Sequence, residues 1–470
     1  MTSTATLWTA AEIAQATGGA AQGEFTASGV AFDSREVGPG DLFVALQGEA
    51  TDGHRFVDGA FASGAAGAIV SAAVDHPHVR VADTGAALDA LGRAARARTA
   101  ARIVGVTGSV GKTGTKEALF AALNRAVPGR AHRSVKSYNN HTGVPLSLAR
   151  MPADSAFGVF EMGMNHAGEL ATLTRLVRPQ VAVVTAIAPA HTAFFSGEEA
   201  IADAKGEIFQ GLEPGGTAII PHDSPYRDRL IAAARPYAGR IWTFGRGEGA
   251  DIRARETARS SRGGTLVTAT LPDAELTFTI APAGDHWVSN ALAVIGAVEA
   301  VGGDLSAAGL ALADMAGLPG RGARVSVTVD GGEALLIDES YNANPASFAA
   351  TLAVLGAEPA ARRIAVLGEM RELGERSDRD HAALADPLLA AGVGFALLVG
   401  PGMAPLAKAL EGRIDFAHVP DAASAGDRLA GAIGAGDAVL VKGSNAVGLA
   451  RLVKRFASEE WRSGRVACSI

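Results

Sequence analysis

The run GVTGSVGKTGTKE at 105–117 constrains this chain more than any other stretch, because it joins the β-rich RIVGVT at 102–107 to a helical segment ending near Ala126. A glycine-rich turn between strand and helix leaves backbone N–H groups free at a helix N-terminus, where aligned peptide dipoles favour an anion. Thr107, Gly108, Ser109, Val110 and Gly111 form that cradle, Lys112 reaches β- and γ-phosphates, and Thr113 offers a hydroxyl to Mg²⁺. The usual phosphate-loop pattern has its first glycine where Val106 stands, so the motif here is the variant TGxxGKT. The competing explanation is a glycine-rich turn that carries Lys-Thr by chance; the flanking strand and helix decide for a nucleotide.

A magnesium nucleotide needs further oxygen ligands. Glu161 ends the strand-like FGVFEM, and ligands gather at that end of parallel strands. In EMGMNHAGEL, His166 and Glu169 read as ordinary polar residues at a helix start. His191, in AIAPAHTAFFSG after the next strand, either ligates a metal or satisfies a turn. Lys205 lies in the helical GEEAIADAKGEIF, where composition alone makes it a solvated lysine on a charged face. The alternative is a lysine of depressed pKa that takes up CO₂ and becomes an anionic carbamate beside Mg²⁺.

With 470 residues the chain is long enough for about three domains. Its net charge of -7 argues against nucleic acid or an anionic bilayer as partner. The single cysteine, Cys468, excludes an internal disulfide and a cysteine-built zinc site, and suits a reducing compartment. The N-terminus lacks a basic and apolar leader, and no apolar run approaches the roughly 20 residues of a membrane span, so a cytoplasmic protein is expected. Thr9 and Glu12 match a capping box at the start of a short helix.

Strand-like runs at 102–107, 157–162, 181–187 and 217–221 alternate with helical stretches, and a second series follows at 335–340, 363–368, 395–400 and 437–443. Both have the look of buried parallel sheets with crossover helices. Residues 241–283 alternate polar and apolar and suggest antiparallel strands decorating the central domain; NALAVIGAVEAVGG at 290–303 reads as a helix and GLPGRGAR at 317–324 as a hinge. The expected fold is α/β in three domains, 1–98, 99–316 and 317–470: a central P-loop parallel-sheet ATPase domain between an α/β N-terminal domain and a Rossmann-like C-terminal domain. Hinges near 98 and 316 would let the C-terminal domain swing onto the nucleotide.

DSREVGPGDLFVALQGEATDGHRF (33–56), YNNHTGVPLS (138–147), EMGMNHAGEL, AHTAFF, AKGEIF (204–209), YNANP (341–345) and LGEMRELGERSDRDH (367–381), in this order along essentially the whole chain, resemble the Mur ligase superfamily. They are most similar to its members that add a dipeptide. The resemblance implies an ATP- and Mg²⁺-dependent ligase of peptidoglycan synthesis that acts on UDP-N-acetylmuramoyl-tripeptide and D-Ala-D-Ala through an acyl phosphate. It implies an N-terminal domain that binds the UDP substrate; a monomer is expected, with no nucleic acid and no membrane insertion. Thr113, Glu161 and His191 are implied as magnesium-site residues, with Lys112 catalytic and Lys205 carbamylated. Asn290 is implied on the adenine side, with Arg321 and Asp338 approaching the nucleotide from the hinge and the C-terminal domain. Asn139, Asn140 and Thr142 belong beside the UDP-sugar, Ser34 and Arg35 beside the uridine diphosphate, and Tyr341, Asn342 and Asn344 in the dipeptide pocket. A capped turn at 341–345 and a solvated surface arginine at 35 are the plain alternatives.

The chain departs from the superfamily at Gly114, where Thr is common, at Trp287 beside His286, where Asn is common, and after Lys442-Gly443-Ser444 in VLVKGSNAVGL. Three other functions compete. A ligase adding the third amino acid would carry a DNPR motif, which is absent. A folylpolyglutamate synthase-like ligase has no place for 33–56, and a nucleotide-binding regulator would have no need of Glu161, His191 and Lys205 together.

Overall fold

The computed structural model describes residues 6–48, 51–189, 195–260, 264–458 and 461; His191 and Cys468 lie outside them. The chain forms a three-domain α/β fold. Its largest sheet has nine strands, in the order Glu275–Ile280, Thr265–Thr270, Ile252–Arg259, Arg240–Gly245, Thr217–Pro221, Val181–Val184, Arg102–Thr107, Phe157–Glu161 and Ala131–Arg133. The middle strands are apolar throughout because helices cover both faces. Val104, Val106, Val181 and Val183 pack on one side with Leu292 and Ile295 of the helix Asp285–Ala300, while Ile103, Phe160, Ala182 and Val184 pack on the other with Leu170 and Leu173.

Of residues 241–283, the stretch 252–280 forms the expected antiparallel strands, whereas 240–245 does not, and none of them stands apart as a decoration. Arg240–Gly245 is parallel to Thr217–Pro221, Ile252–Arg259 begins parallel to Arg240–Gly245, and antiparallel pairing starts only with Thr265–Thr270 and Glu275–Ile280. All four strands belong to the same sheet. Polar-apolar alternation reports one solvated face, which the outer strands have whatever their direction. The helix read at 290–303 starts five residues earlier, at Asp285, which puts Trp287 in its first turn.

The N-terminal sheet runs Ala20–Gln22, His78–Arg80, Gly67–Val70, Asp41–Val44, Gly29–Ala31, with only the first pair antiparallel. The capping box forms: Glu12 N donates to Thr9 Oγ1 at 3.2 Å and Thr9 N to Glu12 Oε2 at 2.7 Å. Where a hinge was expected near 98, the structure has a packed joint. Leu88, Leu91 and Ala95 of the helix Thr84–Ala97 share one apolar cluster with Leu146 and Ala149 of the helix Gly143–Ala149. The indole of Trp8 donates to Ala149 O at 2.8 Å, and the Arg98 guanidinium lies 3.5 Å from the Trp8 ring centre.

The third sheet orders Ala323–Val329, Gly332–Glu339, Asp437–Lys442, Arg362–Gly368, Val393–Val399 and Asp415–Val419, parallel except for its first pair. It is reached through a glycine-rich connection in which Gly320 (φ +73°) and Gly322 (φ +88°) take left-handed backbone that other residues resist. Gly320 N donates to Asp338 Oδ2 at 2.7 Å, which ties the connection to the end of the second strand.

Trp8→Phe should keep the apolar packing of the first joint and lose the bond to Ala149. Urea unfolding is expected to show a stability loss of about 1 kcal/mol with the slope unchanged.

Candidate active site

The C-terminal ends of the central and third sheets face each other across a cleft of about 750 Å³. The phosphate loop lies on its floor. Gly108 adopts φ +151°, and a Cβ there would lie 2.0 Å from Thr185 Oγ1; only glycine fits. Thr185 in turn donates to Val110 O at 2.5 Å, and Ser109 N donates to Ala186 O at 2.8 Å, so the strand after 181 clasps the loop. The buried hydroxyls of Thr107 and Ser109 have no hydrogen-bond partner among the described residues, and Ser109 lines the cleft. Such orphaned groups suit a loop whose ligand supplies acceptors. Lys112 folds back to donate to Gly108 O at 2.7 Å. Burial lowers its pKa; Glu161 opposes that shift and Arg321 adds to it.

Glu161 is 1% exposed and fully engaged. Its Oε2 accepts from Thr113 Oγ1 at 2.9 Å and its Oε1 from Asn139 Nδ2 at 2.8 Å, while its backbone N donates to Ser134 Oγ at 2.9 Å. A carboxylate and a hydroxyl converging beside a phosphate loop match what Mg²⁺ takes from a protein, since the remaining ligands come from phosphates and water. Lys205 also lines the cleft, and its amine has no hydrogen-bond partner among the described residues. Burial, and next the charge of Lys112, push its pKa well below the ordinary lysine value, against the pull of Glu207. That favours the neutral amine, the form that reacts with CO₂.

The other expected residues divide. Asn290 lies on the loop's turn, its Oδ1 2.7 Å from where a Gly111 Cβ would stand. Arg321 sits 4.2 Å over the Tyr341 ring and 3.5 Å from Ser137 Oγ. Tyr341, Asn342 and Asn344 line the far wall. Asn344 also caps the helix Pro345–Ala357 through Ser347, so the capped turn is real and does not remove the residue from the cleft. Asp338 does not line the cleft: its carboxylate accepts from Gly320 N, Ser340 N and, at 2.6 Å, Ser340 Oγ. Its neighbour Glu339 lines the cleft instead, 3.8 Å from Lys442.

Asn139 reaches the cleft, but Asn140 accepts from Gly143 N at 2.9 Å, and Asn140 and Thr142 stand outside it. Ser34 and Arg35 are also outside; the Arg35 side chain is 85% exposed and pairs with Asp33 at 2.5 Å. Glu169 accepts from Asn165 N and contacts His166 Nδ1, the ordinary helix-start role read from sequence. Thr185, Glu339, Arg371 and Lys442 line the cleft without having been singled out as site residues. For Lys442 the signal was the Lys-Gly-Ser at a strand end; for Thr185 it was only a hydroxyl closing a strand.

The departures at Gly114 and Trp287 are one feature. A Cβ on Gly114 would stand 3.0 Å from Trp287 Cη2, so the indole occupies the room that the missing side chain leaves.

Three family models match the chain: "Mur ligase family, catalytic domain" at residues 26–103, "Mur ligase middle domain" at 106–298, and "Mur ligase, glutamate ligase domain" at 322–445. The UDP-N-acetylmuramoyl-tripeptide–D-alanyl-D-alanine ligase of Escherichia coli is 36% identical over 80% of this chain and 82% of its own. Its Bacillus subtilis counterpart is 35% identical over 75% and 76%. Among solved structures, MurF from Acinetobacter baumannii superposes with a TM-score of 0.82 at 31% identity, covering 96% of this chain and 98% of that one. MurF ligase from Thermotoga maritima in complex with ADP gives 0.74 at 28% identity, covering 93% and 98%.

Gly114→Thr alone should overpack the Trp287 contact and lower the thermal midpoint by the equivalent of about 1–3 kcal/mol, whereas Gly114→Thr/Trp287→Asn should recover most of the loss. Differential scanning calorimetry of the three proteins checks it.

Proposed function

We infer the reaction from one premise: the chain belongs to the Mur ligase family. It is an ATP-dependent ligase that joins D-Ala-D-Ala to the terminal carboxylate of UDP-N-acetylmuramoyl-tripeptide, giving the pentapeptide precursor of peptidoglycan. The observation that carries the reading is the meeting of phosphate loop, Glu161 and Lys205 in one cleft, opposite a wall from the third domain.

The chemistry needs two transfers. A carboxylate oxygen of the tripeptide attacks the γ-phosphorus of ATP and ADP leaves; the dipeptide's amine then attacks the acyl carbon, loses a proton, and phosphate leaves. Thr113, Glu161, His191 and a carbamylated Lys205 would hold Mg²⁺, which when bound offsets charge on the transferring phosphoryl group. Lys112 releases its bond to Gly108 O and turns to the β/γ-phosphates, where a fixed cation lowers the cost of developing charge. Asn290 and Arg321 hold the nucleotide from opposite sides, and Asp338 acts through the connection by keeping Gly320 and Ser340 in place. Tyr341, Asn342 and Asn344 receive the dipeptide. The N-terminal domain, 1–98, takes the UDP end, with Ser34 and Arg35 at the diphosphate and Asn139, Asn140 and Thr142 along the sugar; the ATP-binding domain spans 99–316 and the dipeptide wall 317–470.

Phosphate release with ATP, Mg²⁺, UDP-tripeptide and D-Ala-D-Ala, each omitted in turn, tests the reading. Release that requires all four and a product heavier by the dipeptide less one water supports it; release independent of the dipeptide contradicts it. Lys205→Ala should lower turnover by about a hundredfold or more while ADP still binds. Wild-type enzyme should lose activity in CO₂-free buffer and regain it with bicarbonate.

A further inference from the structure

A second lysine of the phosphate-loop helix stands behind Glu161 and does not itself line the cleft. Lys116 has a side chain that is 0% exposed. Its ammonium meets three acceptors: Glu117 Oε1 at 3.0 Å, Glu161 Oε2 at 3.8 Å, and the backbone carbonyl of Lys136. A buried ammonium persists only when it is paired and hydrogen-bonded, so this one fixes all three groups relative to the helix.

The Lys136 carbonyl belongs to an unusual segment. Lys136 adopts φ +49°, left-handed backbone that a side-chain-bearing residue keeps only when its surroundings impose it. Its neighbours carry the cleft's polar lining: Ser137 lies 3.4 Å from Thr113 Oγ1, and Asn139 donates to Glu161 Oε1. Outward, the side chains of Lys136 and Tyr138 both bond Glu36 of the N-terminal domain, Tyr138 at 2.8 Å. The segment 134–139 thus connects the N-terminal domain to the Glu161 carboxylate, and Lys116 anchors it from inside.

We propose that Lys116 is a positioning residue of the ligase reaction: its hydrogen bond to Lys136 holds the 134–139 segment in place for the UDP substrate, and its charge holds the Glu161 carboxylate in its working orientation. The inference rests on the ligase reading above. Two variants separate the two roles. Both replacements are one atom shorter than lysine and match each other in length; Lys116→Met loses both interactions, whereas Lys116→Gln keeps an N–H donor towards the Lys136 carbonyl and loses the charge.

Wild-type turnover is measured first, since without it the ligase reading itself fails. Calorimetry with ADP in the absence of Mg²⁺ and with UDP-N-acetylmuramoyl-tripeptide then gives affinities, and steady-state assays give kcat. ADP affinity should stay within about twofold in both variants, UDP-tripeptide affinity should fall about tenfold or more in Lys116→Met only, and kcat should fall about tenfold or more in both. A folded variant of either kind with wild-type kcat would overturn the proposal, as would equal loss of UDP-tripeptide affinity in the two. If Lys116→Met does not fold, Lys116→Gln decides: reduced kcat with retained affinity supports the assignment and unchanged kcat refutes it.

Discussion

A buried carboxylate organises this molecule. Glu161 ends a central strand with almost no solvent, and a charge so placed is stable only if its oxygens are occupied. Thr113 brings the phosphate-loop helix, Asn139 brings the segment that reaches the N-terminal domain, and Lys116 adds a buried counter-charge. Three parts of the chain far apart in sequence are thereby set to one point. The loop beside them is clasped by Thr185, which crowds Gly108 so closely that only glycine fits there.

The two joints between the domains differ physically, and the difference matters for a reaction with three substrates. At 98 the joint is a shared apolar cluster with the Trp8 indole bonded across it. Beyond 316 the connection runs through left-handed glycines and a few polar ties: Gly320 to Asp338, Arg321 to Tyr341 and Ser137. Bonds of that kind are remade at small cost, which suits the swing of the C-terminal domain expected from the glycine-rich sequence.

Much of this was legible in the sequence because the relevant signals are local. The strand RIVGVT, the glycines of the loop and the helix to Ala126 stand where their composition places them, for burial on both faces and left-handed turns leave marks in a short window. The antiparallel pairing over 252–280 came out as expected, but the parallel pairing of 240–245 was not legible, since alternation reports exposure and not the neighbour's direction. Nor was the exchange of Asp338 for Glu339 at the cleft: which of two adjacent acids faces a cavity depends on which strand face the sheet turns inward. Gly114 and Trp287 looked like independent departures until a single packing contact joined them across 173 positions of chain.

The central claim is that a carboxylate is activated by phosphoryl transfer in this cleft, and the most direct test follows oxygen. UDP-tripeptide whose terminal carboxylate carries heavy oxygen is turned over once with ATP and D-Ala-D-Ala, and the inorganic phosphate is weighed. Attack of that carboxylate on the γ-phosphorus predicts one heavy oxygen in each phosphate released. Phosphate without the label, alongside amide product, would mean that the carboxylate never held the phosphoryl group, and the account would be wrong.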